Sequence, residues 1–336
     1  MGADVELWDR AGRIAAYGAA LALTPYLLIK VSWVVGSVLG LLPVGAGFSE
    51  TGWVVLNTAT IGMAVVGIAV ALALVRPWGM RIPGAPLAFC AWVGTGFLVP
   101  LLPYAMLSSL LGPADDDGAR GSDNDPSMPG WEAALVQVGF VGMGLGLAVA
   151  LPAYLRRRWP SAFAGQVGDS GGGSSRVSSW APFVGAAIGV VWLYWAAGGT
   201  AGVARPAERG TSWRLLEGVF GTWALLASAA TWAIARGRPA RVPRWAALSV
   251  GWLGSGSLFA WSGWKLPFTL YVALANPSDA LLPENLAVAA ALHMTAVVTG
   301  AVMLRSLLRP HASAARPSRA PSTARSPESR EAPGSG

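Results

Sequence analysis

Long apolar stretches separated by short polar segments dominate the sequence between residues 14 and 304. Each stretch carries almost no charge and, at about 1.5 Å per helical residue, is long enough to cross the roughly 30 Å hydrocarbon core of a bilayer. The pattern predicts an all-α integral membrane protein with eight transmembrane helices, at residues 14–42, 52–75, 84–111, 133–155, 180–203, 215–235, 245–275 and 286–304.

The predicted spans divide into two similar sets of four. Residues 48–98 match residues 208–258 at a constant shift of 160 positions and without a gap. The most specific matches are Trp53 with Trp213, Arg76 with Arg236, Pro83 with Pro243, Trp92 with Trp252, Gly94 with Gly254 and Gly96 with Gly256. Because an even number of spans returns the chain to its starting side, we predict two parallel four-helix repeats related by an axis along the membrane normal.

The repeat extends into the first span of each set. Trp33, Gly36 and Gly40 match Trp195, Gly198 and Gly202 at a shift of 162 positions. A four-residue glycine spacing, which Gly142 and Gly146 share, lets membrane helices approach closely. We therefore predict that the repeated positions pack the two repeats, namely Trp33, Gly36, Gly40, Trp92, Gly94, Gly96, Trp195, Gly198, Gly202, Trp252, Gly254 and Gly256.

This division predicts five regions along the chain. They are an N-terminal segment (1–13), a first repeat (14–158), a flexible linker (159–179), a second repeat (180–308) and a disordered tail (309–336). The linker is rich in Gly and Ser, and the tail contains no apolar residue larger than Ala or Pro, which is typical of flexible coil and of disorder.

Basic residues predict the orientation. Most of the 24 Lys and Arg residues fall before span 1, in alternate loops and after span 8. The positive-inside rule then puts the N-terminal segment, the linker and the tail in the cytoplasm, so the expectation is a multi-pass plasma-membrane protein with both termini inside. The lipid bilayer is its expected partner. The net charge of +7 follows from this topology and does not indicate nucleic-acid binding.

Glutamates and tryptophans fit the same topology. Acids at helix N-termini complement the helix dipole, and this interpretation covers Glu50, Glu132, Glu217 and Glu284. Tryptophans near the span ends predict an interfacial aromatic belt of Trp53, Trp78, Trp131, Trp159, Trp180, Trp213 and Trp245.

Three ionisable residues inside the predicted spans are the candidates for chemistry. Lys30 lies deep in span 1, where an ammonium is costly and should face the bundle or water rather than lipid. Lys265 lies near the outer end of span 7, and His293 is the only histidine within a span. Each could line a substrate or ion pathway between the repeats. The alternatives are snorkelling or an ion pair for the lysines, and a structural hydrogen bond for the histidine.

The sequence offers little support for catalysis or for a cofactor. It contains one cysteine, Cys90, and two histidines, of which His311 lies in the tail. A histidine-based zinc site or two-histidine haem ligation within the membrane therefore cannot be built, and no phosphate-binding loop or G-x-S-x-G motif is present. We expect neither enzymatic activity, nor a cofactor, nor a metal.

The segment WLYWAAGGTAGVARP at residues 192–206 resembles a Y-W-A-x-G-G signature of uncharacterised polytopic membrane proteins of GC-rich bacteria. The resemblance implies a membrane bundle and brings no activity with it. Two functions remain open from the sequence. One is a small-molecule or ion carrier with a pathway between its repeats, and the other is a non-catalytic membrane module that packs against a cell-envelope partner.

Overall fold

The computed structural model describes residues 2–42, 49–111, 130–160, 164–169, 180–275 and 283–308. In these ranges the chain is helical, and its only β-bridges are isolated ones. The α-helices are α1 (Gly2–Val38), α2 (Glu50–Ala73), α3 (Pro77–Arg81), α4 (Gly84–Leu111), α5 (Gly130–Arg158), α6 (Ala181–Ala196), α7 (Thr211–Arg236), α8 (Arg244–Ala275) and α9 (Leu286–Leu308).

The regions predicted at the chain ends have different outcomes. The predicted N-terminal segment belongs to α1 from residue 2 onward, so helix and span are continuous there. The predicted tail, 309–336, lies outside the described residues, as does most of the linker.

Local capping sets several helix ends. The hydroxyl of Ser49 accepts a hydrogen bond from the Gly52 N–H over 3.1 Å at the start of α2. The side-chain oxygen of Asn285 accepts from Ala287 over 3.1 Å at the start of α9. These contacts satisfy N–H groups that lack a partner within the helix. At its other end, α7 stops at Gly237, whose φ of 63° is the left-handed conformation that favours glycine.

Six described helices are long and apolar enough to cross a membrane: α1, α2, α4, α5, α7 and α9. The chain is therefore an all-helical, multi-pass membrane protein. The predicted spans 5 and 7 differ from these six. Helix α6 ends at Ala196, after 16 residues, because the chain turns at the glycines that follow. Helix α8 has 32 residues, among them several serines and glycines and Lys265, and it is not among the six.

The helices form two bundles that meet through α4. In the first half (α1–α5), α1 packs along α2 and α5. In the second half (α6–α9), α7 packs against α6 and α8, and α8 packs against α9. Each half has its own apolar core. Helix α4 of the first half packs against α8 and α7 of the second half and joins the two cores.

Two tryptophans make reciprocal hydrogen bonds where α4 meets α8. Trp92 Nε1 donates to Ser255 Oγ over 3.2 Å, and Trp252 Nε1 donates to Thr95 Oγ1 over 3.2 Å. All four side chains are buried. Position 95 corresponds to position 255 at the same shift of 160 that relates the two tryptophans. Each helix therefore contributes one donor and one acceptor, as in an interface between two like surfaces.

Glycines allow this contact to form. The backbone of Gly96 lies directly against that of Gly256, and a Cβ atom at Gly96 would overlap it. At Gly256 a Cβ would stand 2.8 Å from the carbonyl oxygen of Trp92. Small residues that bring backbones together are a main source of helix association in lipid. The repeated W-x-G-[ST]-G pattern thus forms the contact between the halves.

The other repeated glycines have a different role from the predicted one. Gly40, Gly198 and Gly202 lie beyond the ends of α1 and α6, with φ values of 67°, 103° and 80°. A side chain at Gly36 would meet Leu42, in the turn that follows its own helix. The prediction that these four glycines pack helix against helix is therefore corrected. Their spacing reflects chain turns, because a left-handed backbone favours glycine.

Gly142 and Gly146 do lie between helices. A Cβ at Gly142 would stand 2.5 Å from Ala22 Cβ of α1, and one at Gly146 would stand 2.6 Å from the carbonyl oxygen of Ala15. These two positions of α5 let it pack closely along α1, since a larger residue would separate the helices.

Arginines gather at one end of the bundle, which we call the arginine-rich end. Arg157 at the end of α5 donates to the Leu74 carbonyl after α2 over 2.7 Å and lies 3.7 Å from Asp9 of α1. Arg158 donates to the Ile82 carbonyl before α4 over 3.1 Å. Helix termini with free carbonyls attract these cations, so the same end of four helices is held together by arginine.

The described part of the predicted linker is packed against the second half. The Val167 N–H donates to the Val242 carbonyl over 3.0 Å, and the Arg244 N–H donates to the Gly165 carbonyl over 3.1 Å. Val167 is fully buried against Ile234 and Leu307. Residues 164–169 thus differ from the flexible coil predicted for them, because one apolar side chain and backbone pairing fix them to the loop after α7.

Candidate functional site

The structure brings Lys265 and His293 together and leaves Lys30 apart. Lys265 of α8 lies close enough to His293 of α9 for its charge to act on the imidazole. Lys30 belongs to α1, which packs mainly along α2 and α5. The expectation that Lys30 lies near the interface of the two halves is therefore wrong, because α4 and not α1 forms that interface.

Lys30 is buried among aromatic rings in the first half. Only 3% of its surface is exposed, and its Nζ atom lies 4.2 Å from the Trp33 ring centroid and 5.6 Å from that of Tyr26. Trp33 in turn stacks on Trp53 of α2 at 5.5 Å. Aromatic faces stabilise a desolvated ammonium by about 2 kcal/mol or more. The side chain thus avoids lipid, as predicted, and its surroundings have the character of a structural cage.

A second tryptophan pair occupies the equivalent place in the second half. The ring of Trp195 at the end of α6 lies 6.2 Å from that of Trp213 of α7, close to the 5.5 Å between Trp33 and Trp53. Of the tryptophans predicted for the interfacial belt, Trp53 is buried and Trp213 is partly buried. The other tryptophans predicted for that belt are exposed: Trp78, Trp131, Trp159, Trp180 and Trp245.

His293 is fixed by a hydroxyl and a ring. Its Nδ1 atom lies 3.2 Å from Ser262 Oγ of α8, and its ring centroid lies 6.3 Å from that of Trp192 of α6. Both polar side chains are buried. This contact agrees with the structural alternative for His293, a hydrogen bond to a neighbouring helix. It leaves Nε2 as the second ring nitrogen, free to serve as donor or acceptor according to the tautomer.

An acid that the sequence reading assigned to a helix end lies in the same region. Glu217 of α7 is 5% exposed, and Lys265 lies close enough to interact with it electrostatically. No hydrogen bond or salt bridge reaches the Glu217 carboxyl from the described residues. Glu217, Ser262, Lys265 and His293, from three different helices, are called the polar cluster below.

Helix geometry explains why Glu217 is not a helix-end acid. Helix α7 begins at Thr211, so Glu217 lies six residues later, about 9 Å along the axis. The dipole effect fades beyond the first turn, where Glu50 and Glu132 do lie. The sequence feature that indicates this depth is the number of residues between Glu217 and Gly210, the N-cap of the helix. That separation places the carboxyl inside the span.

An aromatic stack lies beneath the cluster. Phe220 and Trp261 stack with ring centroids 4.3 Å apart. Phe220 follows Glu217 by three residues in α7, and Trp261 precedes Lys265 by four in the antiparallel α8, so both rings lie one turn nearer the arginine-rich end. Lys265 Nζ also lies 5.5 Å from the Trp261 ring. The stack therefore lies on the arginine-rich side of Glu217 and Lys265.

A buried donor faces the same level of the bundle. Trp192 precedes Trp195 by one helical turn, just as Glu217 follows Trp213 by one turn in the antiparallel helix. The Trp192 ring is 1% exposed, and its Nε1 has no hydrogen-bond partner among the described residues. Buried donors are almost always satisfied by protein, water or a ligand. The site therefore offers both a donor and an acid to a small polar species.

A buried arginine and a second glutamate close the end opposite the arginine-rich end. Arg209 is buried, and its guanidinium donates to the Gly199 carbonyl and lies 5.5 Å from the Trp213 ring. Glu284, also buried, accepts from Trp213 Nε1 over 3.1 Å. Guanidinium suits such multiple carbonyl contacts because its donors form a rigid fork. These groups hold the loops over the tryptophan pair.

The Y-W-A-x-G-G segment forms the turn that Arg209 caps. Tyr194 Oη accepts from the N–H groups of Thr200 and Ala201 over 3.2 and 3.3 Å, and Trp195 Nε1 donates to the Ala201 carbonyl over 2.7 Å. A side chain at Gly199 would overlap the Tyr194 ring. The motif thus folds the chain back over the end of α6. The need for this turn explains why Tyr, Trp and Gly occupy these positions.

In the part of the chain that the structure describes, no three side chains are grouped in a way that could hold a metal ion. Helices and buried charge together define a multi-pass membrane protein with a polar cluster in its second half. The chain matches no protein-family model, no curated protein and no solved structure.

Proposed function

We propose that the chain crosses the membrane eight times, as two parallel four-helix repeats, and works as a carrier for a small molecule or an ion. The arginine-rich end is cytoplasmic in this proposal, in accord with the positive-inside rule, and the membrane is the plasma membrane. The carrier binds its solute at the polar cluster. We propose no enzymatic activity for it. On the basis of the Y-W-A-x-G-G segment, we also propose that it is related to the polytopic bacterial membrane proteins that this segment resembles.

The packing of the helix ends supports eight crossings. The ends of α7 and α9 and the start of α8 share one small apolar cluster, through Ile234, Leu307 and Ala247. At the opposite end, Trp213 near the start of α7 bonds Glu284 just before α9. Helix α8 must therefore traverse the bundle between α7 and α9. The same reasoning makes α6 a crossing, since α5 ends with the arginines and α7 begins at the other end.

Two sets of matched contacts support the repeats. The reciprocal bonds of Trp92 and Trp252 relate α4 to α8, and the tryptophan pairs relate α1 and α2 to α6 and α7. Parallel repeats of this kind are common in carriers, where solutes bind near the contact of the repeats. Here α8 carries both Trp252 and Lys265, and one turn before Lys265 its Trp261 ring lies 6.0 Å from the Phe97 ring of α4, so α4 also reaches the level next to the polar cluster.

The observation that carries the proposal is the buried carboxyl of Glu217. It lies where α7, α8 and α9 bring Glu217, Lys265 and His293 into one region, but it forms no hydrogen bond or salt bridge with either of the other two residues. Ionisable side chains within membrane spans are costly and mark substrate or ion paths. A purely structural acid would be expected to form a salt bridge, since removing a charge from water needs compensation.

Cysteine labelling tests this carrier. In a Cys90→Ala background, we expect Ser262→Cys to react with a membrane-impermeant thiol reagent added on the side opposite the arginine-rich end, because a pathway must become wet. Gly263→Cys is the matched control, since residue 263 is exposed with no neighbour within 4 Å of a Cβ and should face lipid. Equal inertness of both variants would contradict a pathway at the cluster.

A second function, a non-catalytic membrane module that packs against an envelope partner, is favoured by a different observation. The α4–α8 contact brings two backbones together and leaves little freedom between the halves. In a packing module Ser262→Cys stays inert in every condition, so the same experiment separates the two functions.

A further inference from the structure

We propose that Glu217 is a proton-binding site that couples proton uptake to the carrier. This inference rests on the proposed function, and it concerns the same cluster. It derives from the placement of the carboxyl: within a membrane span, almost fully buried, and without a hydrogen bond or salt bridge from the described residues. An ionised carboxylate in such a place is unfavourable, whereas a neutral carboxylic acid is tolerated.

The chemistry is a simple protonation. The carboxylate takes a proton from a hydronium ion in water that enters from the end opposite the arginine-rich end. One O–H bond of hydronium breaks, one O–H bond of the carboxyl forms, and water and the neutral acid result. Glu217 and Lys265 together then change from no net charge to one positive charge. With Glu217 ionised, Lys265 serves as its counter-charge; with Glu217 protonated, the ammonium is released to attract another group. Proton binding thus alters what the cluster can hold.

The neighbours of Glu217 fit this role. Helix α8 contributes Lys265, and α9 contributes His293, with Glu284 preceding it. Helices α4 and α6, which also pack against α7, contain no acidic or basic residue, so their only titratable side chains are Cys90, Tyr104 and Tyr194. On α7 itself, Arg214 precedes Glu217 by three residues, and the Nζ atom of Lys265 lies 5.5 Å from the Trp261 ring. Neither cation forms a salt bridge with the Glu217 carboxyl in the described part of the chain, so no ion pair fixes the acid in its ionised form.

The orphaned donor of Trp192 supplies a second, independent observation. Its N–H and the Glu217 carboxyl lie at the same level of adjacent helices, and neither has a hydrogen-bond partner among the described residues. A water molecule that accepts from Trp192 could pass a proton to Glu217, because buried polar atoms of this kind are normally satisfied by water. The first half has Asn57 at the position that corresponds to Glu217, and an amide cannot carry a proton in this way.

Infrared spectroscopy of the full-length protein in lipid nanodiscs tests the proposal without any substrate. We expect a carbonyl band of a protonated carboxylic acid that appears and disappears reversibly as pH is changed. The band is lost in Glu217→Gln and kept in Glu50→Gln, the matched control at the exposed start of α2. Glu217→Asp retains the band at a shifted frequency, which covers the case that Glu217→Gln does not fold.

Two results would overturn proton binding. One is a wild-type band that Glu217→Gln leaves unchanged. The other is a carboxylate signal that ignores pH and responds to sodium chloride, which would assign a metal cation to the site. Failure of the carrier is a separate outcome: the pH-dependent band would then be present while Ser262→Cys remained unlabelled.

Discussion

The two halves contain similar tryptophan pairs, but the buried ionisable group near the pair is a cation in the first half and an acid in the second. In the first half the buried ionisable group of the first helix pair is the cation Lys30, with the neutral Asn57 facing it one turn from the tryptophan pair. In the second half Trp192 corresponds to Lys30, and the acid Glu217 corresponds to Asn57. The matched positions of the two halves thus carry different ionisable groups.

The difference lies in how each charge is satisfied. Lys30 lies against the faces of Trp33 and Tyr26, which compensate its burial. Glu217 has no such aromatic or ion-pair partner among the described residues, and Lys265, the cation that acts on it electrostatically, is on another helix. A side chain whose burial is compensated stabilises a fold, whereas one that is not compensated marks a place where something else binds. In the proposed function, the first half therefore serves as a packed support and the second half holds the site.

The largest expected effect concerns the glycines that join the halves. Gly96→Ala should lower the free energy of unfolding by about 2–3 kcal/mol, because its Cβ overlaps the backbone of Gly256. Gly94→Ala is the matched control: its Cβ would meet only Leu147, at 3.8 Å, so we expect no loss and a gain of up to about 1 kcal/mol.

The same substitutions in the second half sharpen the comparison. A Cβ at Gly254 would stand 2.6 Å from the Trp223 carbonyl oxygen, and one at Gly256 would stand 2.8 Å from that of Trp92. Both Gly254→Ala and Gly256→Ala should therefore destabilise the protein. Unfolding in detergent, followed by tryptophan fluorescence, measures all four variants. Equal effects at positions 94 and 254 would show that the halves pack alike.

A smaller effect separates the tryptophan pairs. Trp213→Phe removes the donor to the buried Glu284 and should cost about 1–3 kcal/mol, because an acid is left without its hydrogen bond. Trp33→Phe keeps a ring over Lys30 and should cost about 0.5–1 kcal/mol. The same unfolding assay measures both. If Trp33→Phe lowered the free energy of unfolding more than Trp213→Phe, the proposed contrast between the Trp33–Trp53 pair and the hydrogen-bonded Trp213 would be wrong.

The smallest effect tests equivalence. Trp92→Phe and Trp252→Phe each remove one indole-to-hydroxyl hydrogen bond and should each cost about 1 kcal/mol, with the two values alike. Different changes in the free energy of unfolding would mean that the two hydrogen bonds are not equivalent. The contact would then not be an interface between two like surfaces.

The sequence predicted membrane helices for a physical reason, because apolar length identifies them. The register of Trp92 with Trp252 predicted equivalent inward positions, but not that these two positions contact each other. The sequence did not predict Glu217, because the depth of an acid depends on where its helix begins, and Thr211 as first residue cannot be read from composition. Nor did it predict the inward tryptophans, since the pairing of Trp53 with Trp33 depends on how two helices face each other.

The most direct measurement of the central claim compares equivalent positions of the halves. In a Cys90→Ala background, Glu217→Cys and Asn57→Cys are each exposed to a membrane-impermeant thiol reagent from the side opposite the arginine-rich end. The account predicts that Glu217→Cys is labelled, since the second half holds the site, and that Asn57→Cys, 1% exposed in the packed first half, is not. Labelling of Asn57→Cys alone, or of both at the same rate, would contradict it.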